Sequence, residues 1–285
     1  MCGGYGPPPV VVNVAAGSSR IGGPRRRYDR VVQGPEARTD RAPSGDATAA
    51  GNAASTAEVG AMFNRLAPRY DRMNALISGF QEPRWRRRVV ALAGLEPGMA
   101  ALDVGTGTGK VAEGLADRVG VFGRVVGVDV STAMIERARQ ANADRIELEF
   151  VIGDALDLPL ASGTFDAATI AFGMRNLPDY ERGFAELLRV LRPGGRVVCA
   201  EAARPRGLLG RAAWLWFERV VPLLGRLSGE PDAYRYLVAS VRAYPEPARI
   251  AEIMASVGFE NVRWTPLSFG MVTIHTGRRP PATDS

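Results

Sequence analysis

The stretch Leu102–Leu115, LDVGTGTGKVAEGL, decides how this chain is read. It opens apolar, passes through glycines at 105, 107 and 109, and continues with helical spacing. AALDVG reads as a buried strand, the glycines as a tight turn, and Lys110 to Arg118 as the helix that follows. A dinucleotide site favours Gly-x-Gly-x-x-Gly with a pyrophosphate on the helix N-terminus, whereas the spacing here is Gly-x-Gly-x-Gly. Alone, the turn is equally a plain strand-to-helix connection. Three carboxylates change the balance. Asp129 ends the next strand pattern, RVVGVDV, 24 residues after Gly105, where a carboxylate accepts both hydroxyls of a ribose. Asp154, after a third strand pattern, is placed for an exocyclic adenine amine, and Asp103 for an ammonium group. Together with the turn at Gly105 and Gly107, they suit an adenosyl amino acid that has no pyrophosphate.

Outward from this turn the pattern alternates. STAMIERARQAN is a helix capped by Ser131, and IELEFVIGD and FDAATIAFG are strands. YERGFAELLRVL is a helix, RPGG a turn and RVVCAEA a strand. The alternation predicts an α/β fold: a doubly wound, seven-stranded, mostly parallel sheet with ligands at the carboxyl ends of the strands. After the helix PARIAEIMASVGF, the strand-like runs ENVRWTPLSF and MVTIHTG are separated only by Gly270. No helical crossover fits there, so the last strand pairs antiparallel with its predecessor.

Composition bounds the rest. The chain has 285 residues, 46% hydrophobic and 23% charged, which suits one globular domain with an extension. Residues 1–57 are rich in Gly, Pro, Ala, Ser and Arg without period and are expected to be disordered, the domain spanning 58–279 and a tail 280–285. Acidic residues interrupt the basic ones in this extension and no apolar core precedes a cleavage site, which disfavours a targeting peptide. The net charge of +6 comes from scattered arginines, Lys110 being the only lysine, so no nucleic-acid stripe is read. No apolar run approaches the roughly 18 residues of a membrane span. Cys2 and Cys199 suggest neither disulfide nor metal site, and a cytoplasmic, reducing location follows.

The motifs LDVGTGTG, VVGVD, GDALDLP and LRPGG resemble those of class I S-adenosylmethionine-dependent methyltransferases. MFNRLAPRYDRMN (62–74), FDAATIAFGMRNLPD (165–179), YRYLVASVRAYP (234–245) and GMVTIHTG (270–277) narrow the resemblance to the ubiquinone/menaquinone biosynthesis C-methyltransferase family. The resemblance implies S-adenosyl-L-methionine as methyl donor and a prenylated, lipophilic quinol as substrate, most directly demethylmenaquinol. It carries cofactor contacts onto Thr108, Asp129, Asp154 with Ala155, and Ala171, where the family often has serine. Lys110 replaces a common acid, and EAARP (201–205) replaces Glu-Phe-Ser-x-Pro. Peripheral membrane contact and a homodimer stay open. So do a methyltransferase of another phenolic or polyketide substrate and a non-catalytic cofactor-binding scaffold.

Such chemistry needs an electron-rich ring carbon held in line with an activated methyl group, away from water, with an anion-stabilising group at the ring hydroxyl. Candidates are Arg175 and Asn176, Tyr234 and Tyr236, Asp71, and His275. Each has a plainer alternative: Arg175 pairs with Asp179, and His275 is packed in a strand. Tyr70 and Asp71 form a lid over the cofactor or cap a helix, and PRWRRR (83–88) is a solvated helix face with Trp85 buried or a contact for anionic lipid. The apolar segment 207–237, with Trp214, Trp216 and Phe217, is expected to cap the site over the prenyl tail and to dock transiently on the membrane surface.

Overall fold

The computed structural model describes residues 54–205, 207–228 and 230–282. The expected disordered extension lies almost wholly outside them, in 1–53, and Cys2 with it. The first helix starts two residues ahead of the expected boundary at 58. Ser55 caps helix α1 (Thr56–Leu66) in a reciprocal capping box with Glu58, which satisfies two otherwise unpaired donors. Two more helices, α2 (Tyr70–Ile77) and α3 (Glu82–Ala93), precede the sheet.

Strands β1 (Ala100–Val104), β2 (Arg124–Asp129), β3 (Leu148–Ile152), β4 (Phe165–Ala171) and β5 (Leu191–Ala202) are parallel. Helices α4 (Lys110–Val119), α5 (Thr132–Ala141) and α6 (Tyr180–Val190) connect them. The sheet is completed by β6 (Glu260–Leu267) and β7 (Val272–Arg278) in the order β3-β2-β1-β4-β5-β7-β6. β7 is antiparallel to β6, as expected, and also to β5, between which it inserts. The order reverses between β1 and β4, and there the carboxyl ends open a crevice.

Burial on both faces explains the nearly continuous apolar strands. Leu102, Val104, Val126 and Val128 face a core built with α6 and α9 (Pro247–Ser256), and Ala101, Val125 and Val198 face one built with α3, α4 and α5. The expected RPGG turn is a loop-out within β5. Its register with β4 jumps from Phe165↔Leu191 to Ala167↔Arg196, and Gly194 takes φ 77° at the bend.

The segment expected as a cap is two helices, α7 (Gly207–Ser228) and α8 (Pro231–Ala243), running six residues beyond the predicted end at 237. Phe217, Val221, Tyr234 and Val241 pack there against Leu66, Met73 and Ile77 of α1 and α2. No described helix is long and apolar enough to cross a membrane.

Candidate active site

The glycine turn takes its shape from backbone geometry. Gly105, Gly107 and Gly109 have φ of 62°, 55° and 85°, a region in which a side chain is strained. This bend aims the Gly107 N–H at Asp129 Oδ2 (2.8 Å), while Asp129 Oδ1 accepts from Ser131 N (2.9 Å). The end of β2 is thereby tied to the turn after β1. Partial burial raises the Asp129 pKa above the usual carboxylate range, against the backbone donors that lower it.

Gly105, Gly107, Asp129, Asp154, Ala155 and Ala171 line one cleft, with about 690 Å³ of free space, part of it open to solvent. That is in the range of small-molecule sites. Asp154 is held by its own loop, Oδ1 accepting from Leu156 N (2.9 Å). Asp103 and Thr108 line an adjoining hollow with Lys110, Glu82 and Arg86. Asp103 is fully enclosed, and Thr106 and Thr169 donate to its two oxygens (2.7 and 2.6 Å). Burial pushes its pKa up to about 6 despite both hydroxyls. The hollow combines acid groups with the Arg86 guanidinium, which pairs with Glu82, and so offers partners for both ends of a zwitterion. Burial also raises the Glu82 pKa.

α1 and α2 cover this region. Thr108 donates to Asp71 (2.8 Å), and Asn64 accepts from Ser131 Oγ (2.7 Å) and Ala133 N (3.1 Å). A Cβ at Gly107 would lie 3.7 Å from the Tyr70 ring. Asp71 therefore ties its helix down over the turn. The N-cap of that helix is Arg69, with no side-chain cap bond.

Beyond Tyr70 and Phe172 lies a second, apolar chamber, lined by Trp85, Trp214, Phe217, Leu237 and the guanidinium-bearing Arg175. Phe172 has φ 60°, unusual for an aromatic residue, and borders both cavities. Trp85 is half-buried rather than buried, because it forms chamber wall and donates to Ser268 (2.9 Å).

Arg175 does not pair with Asp179, which instead caps α6. Its Nη1 donates to Glu201 Oε1 (2.6 Å) and to the Phe172 carbonyl (2.6 Å), and its backbone N–H donates to Glu201 Oε2 (3.1 Å). Burial opposes its charge, but Glu201 outweighs that and holds the Arg175 pKa above the ordinary value. Arg175 Nε is buried with no hydrogen-bond partner among the described residues. Asn176 accepts from Tyr236 (3.2 Å), and Tyr234 and Tyr236 line a side hollow together with Arg175.

His275 is not brought to this site. Its partner across the sheet is Cys199, three residues down β7 from the Ala202↔Val272 pair at the strand end. It is 1% exposed and its Nε2 lies 2.9 Å from the Pro247 carbonyl oxygen, and burial lowers its pKa to about 4. The insertion of β7 into the sheet is what puts it there, so the packed alternative holds and the acid–base role is withdrawn. Glu201, Glu82, Arg86 and Asn64 escaped the sequence analysis. Glu201 alone left a signal, an acid at a strand's carboxyl end opposite FGMRN.

Comparison with known proteins agrees with this geometry. Residues 51–279 match the model of the ubiE/COQ5 methyltransferase family. The chain is 47% identical over 222 residues to a demethylmenaquinone methyltransferase of Thermus thermophilus, covering 77% of this chain and 100% of that one. It is 40% identical over 224 residues to the ubiquinone/menaquinone biosynthesis C-methyltransferase UbiE of Geobacter sulfurreducens (76% and 87% covered). A crystal structure of an S-adenosylmethionine-dependent methyltransferase from Thermotoga maritima shares the fold, with a TM-score of 0.56 at 21% identity (77% and 99% covered).

Proposed function

The chain belongs to the ubiE/COQ5 methyltransferase family, and from that premise we propose that it methylates a ring carbon of demethylmenaquinol, the last carbon–carbon bond needed for menaquinol. It is an S-adenosylmethionine-dependent methyltransferase. The residues present fit that cofactor: the glycine turn leaves room beside Tyr70, and the cleft carries carboxylates but no concentrated positive charge for a pyrophosphate. In this reading Asp129 holds the ribose hydroxyls, Asp154 and Ala155 the adenine, and Gly105, Gly107 and Ala171 the cleft walls. Asp103 and Thr108 serve the methionyl end. The cofactor supplies a methyl group already activated as an electrophile.

The remaining work falls to the chain. The apolar chamber excludes water and accepts a quinol ring with its tail. Arg175 supplies the guanidinium among the residues that line that chamber, and this observation carries the proposal. A quinol is nucleophilic at carbon because its hydroxyls donate electron density, more so when one is ionised. Fixed in place by Glu201, the Arg175 guanidinium stabilises the developing phenolate without reorganising. Tyr70 and Phe172, at the border of the two cavities, orient the ring toward the cofactor cleft. α7 and α8 cap the tail, and the substrate is met at the surface of the membrane in which it dissolves.

Incubation with methyl-labelled S-adenosylmethionine and reduced demethylmenaquinol tests this. Label is expected on a ring carbon. Cofactor binding with no transfer to the quinol or to simple phenols marks a scaffold instead, and transfer to phenols alone marks a different substrate.

A further inference from the structure

The chamber lined by Trp85 also takes Ser78 and Met271 into its wall, each two residues from a phenylalanine exposed to solvent, Phe80 and Phe269. Trp85 donates to Ser268, and Ser268 donates to Gln81 (2.6 Å), so the loop carrying Phe80 is tied to the loop carrying Phe269. Phe80 and Phe269 are 70% and 69% exposed, and both sit at left-handed φ, 60° and 57°. For a bulky aromatic residue this conformation is strained. Neither packing nor backbone preference accounts for a strained aromatic side chain aimed at solvent.

The apolar surface continues from there. Leu208 and Phe269 line one groove, and Leu208 begins a helical stripe on α7, followed by Leu215, Trp216 and Leu223, all exposed. On the opposite face of that helix, Trp214, Phe217 and Val221 pack inward, so α7 is apolar on both sides. Exposed arginines accompany the apolar residues: Arg211 and Arg219 on α7, Arg204 in the groove and Arg84 on α3, four residues on from Phe80 in sequence. None of the four forms an ion pair among the described residues, and Glu246 is the acid that shares the groove. A second copy of this chain would set these arginines against their own kind. Anionic headgroups complement them, while the apolar side chains enter the acyl boundary.

We propose that Phe80, Phe269 and the exposed face of α7 form a docking surface for a bilayer with anionic headgroups, holding the mouth of the chamber against the lipid. This rests on the quinol reading above, since a lipid-dissolved substrate then enters the chamber without crossing water. The two phenylalanines are the insertion points, and the arginines keep their heads at the headgroup level.

The test is co-sedimentation of the full chain with vesicles of phosphatidylcholine, alone or with phosphatidylglycerol. The parent is expected to sediment with the anionic vesicles and to be released by salt. Phe80→Gly/Phe269→Gly relieves both strained positions, so its melting temperature equals or exceeds the parent's while partitioning falls about tenfold or more. Arg211→Ala/Arg219→Ala weakens binding to the anionic vesicles only. Failure of the parent to sediment, or parent-like binding by the glycine variant, overturns the proposal. So does a parent dimer that the glycine variant converts to a monomer with no vesicle binding, which makes the face an interface between copies. Methyl transfer to a short-tailed, water-soluble quinol separates the two readings. Transfer without vesicle binding overturns the docking surface alone, and vesicle binding without transfer to any quinol overturns the substrate.

Discussion

Replacing Glu201 by glutamine removes one charge from the most enclosed ion pair of the site. Its carboxylate is 0% exposed and accepts from Arg175 Nη1, Arg175 N and Ala202 N, at 2.6, 3.1 and 2.8 Å. Glutamine keeps one acceptor oxygen and turns an N–H toward a group that is itself a donor. The Arg175 cation is left without its counter-charge in the interior. Breaking a buried pair in this way costs about 3–5 kcal/mol, more than the roughly 0–1 kcal/mol of a surface pair, because the survivor remains desolvated. Urea unfolding of Glu201→Gln should therefore show an unfolding free energy lowered by that amount, read as a lower midpoint with an unchanged slope. Removing the cation as well, in Arg175→Met/Glu201→Gln, should recover much of the loss and give a coupling of about 2 kcal/mol or more. Function separates from stability in the same variant. Cofactor affinity by calorimetry should stay near the parent's, since neither residue lines the cofactor cleft. Turnover under folding conditions should fall about 10²–10³-fold, the range for one preorganised donor. A folded Glu201→Gln with parent turnover, or a coupling below about 0.5 kcal/mol, refutes the claim that Glu201 positions Arg175.

The other expectations concern single groups. Asp129→Asn should weaken S-adenosylmethionine binding by about 1.5–3 kcal/mol, the worth of hydrogen bonds to a charged group, as read by calorimetry on a folded variant. Asp103, with its pKa raised to about 6, binds more protons in the native state than unfolded between pH ~4 and 6. Stability should thus fall by about 3 kcal/mol as pH rises through that window, and Asp103→Asn should remove this slope from pH-dependent unfolding. His275, lowered to about 4, acts oppositely: its contribution is full above about 6.5 and is lost as pH falls toward 4, by about 3 kcal/mol. Because it is neutral throughout pH 6–8, His275→Gln should keep the parent's pH–rate profile there. A neutral-range limb that disappears in the variant would restore it as a base.

Sequence alone determined what local pattern encodes. The alternation of period-2 and period-3.6 runs gave the order of strands and helices, and three glycines at left-handed positions gave the turn that Asp129 closes. The short link at Gly270 gave the antiparallel ending. Each depends on residues near one another in the chain, where backbone preference and burial face act directly. The placement of β7 between β5 and β6 was decided only by tertiary pairing, and it moved His275 from a candidate site to the sheet interior. The Arg175–Glu201 pair joins residues 26 apart, and the Trp85–Ser268 bond residues 183 apart. Charge type and hydropathy at each position are the same whichever partner is met. A strand fixes which face its side chains take, but the neighbour that buries them, and with it the pairing of a carboxylate or the pKa of an imidazole, is set when distant strands and helices close on one another.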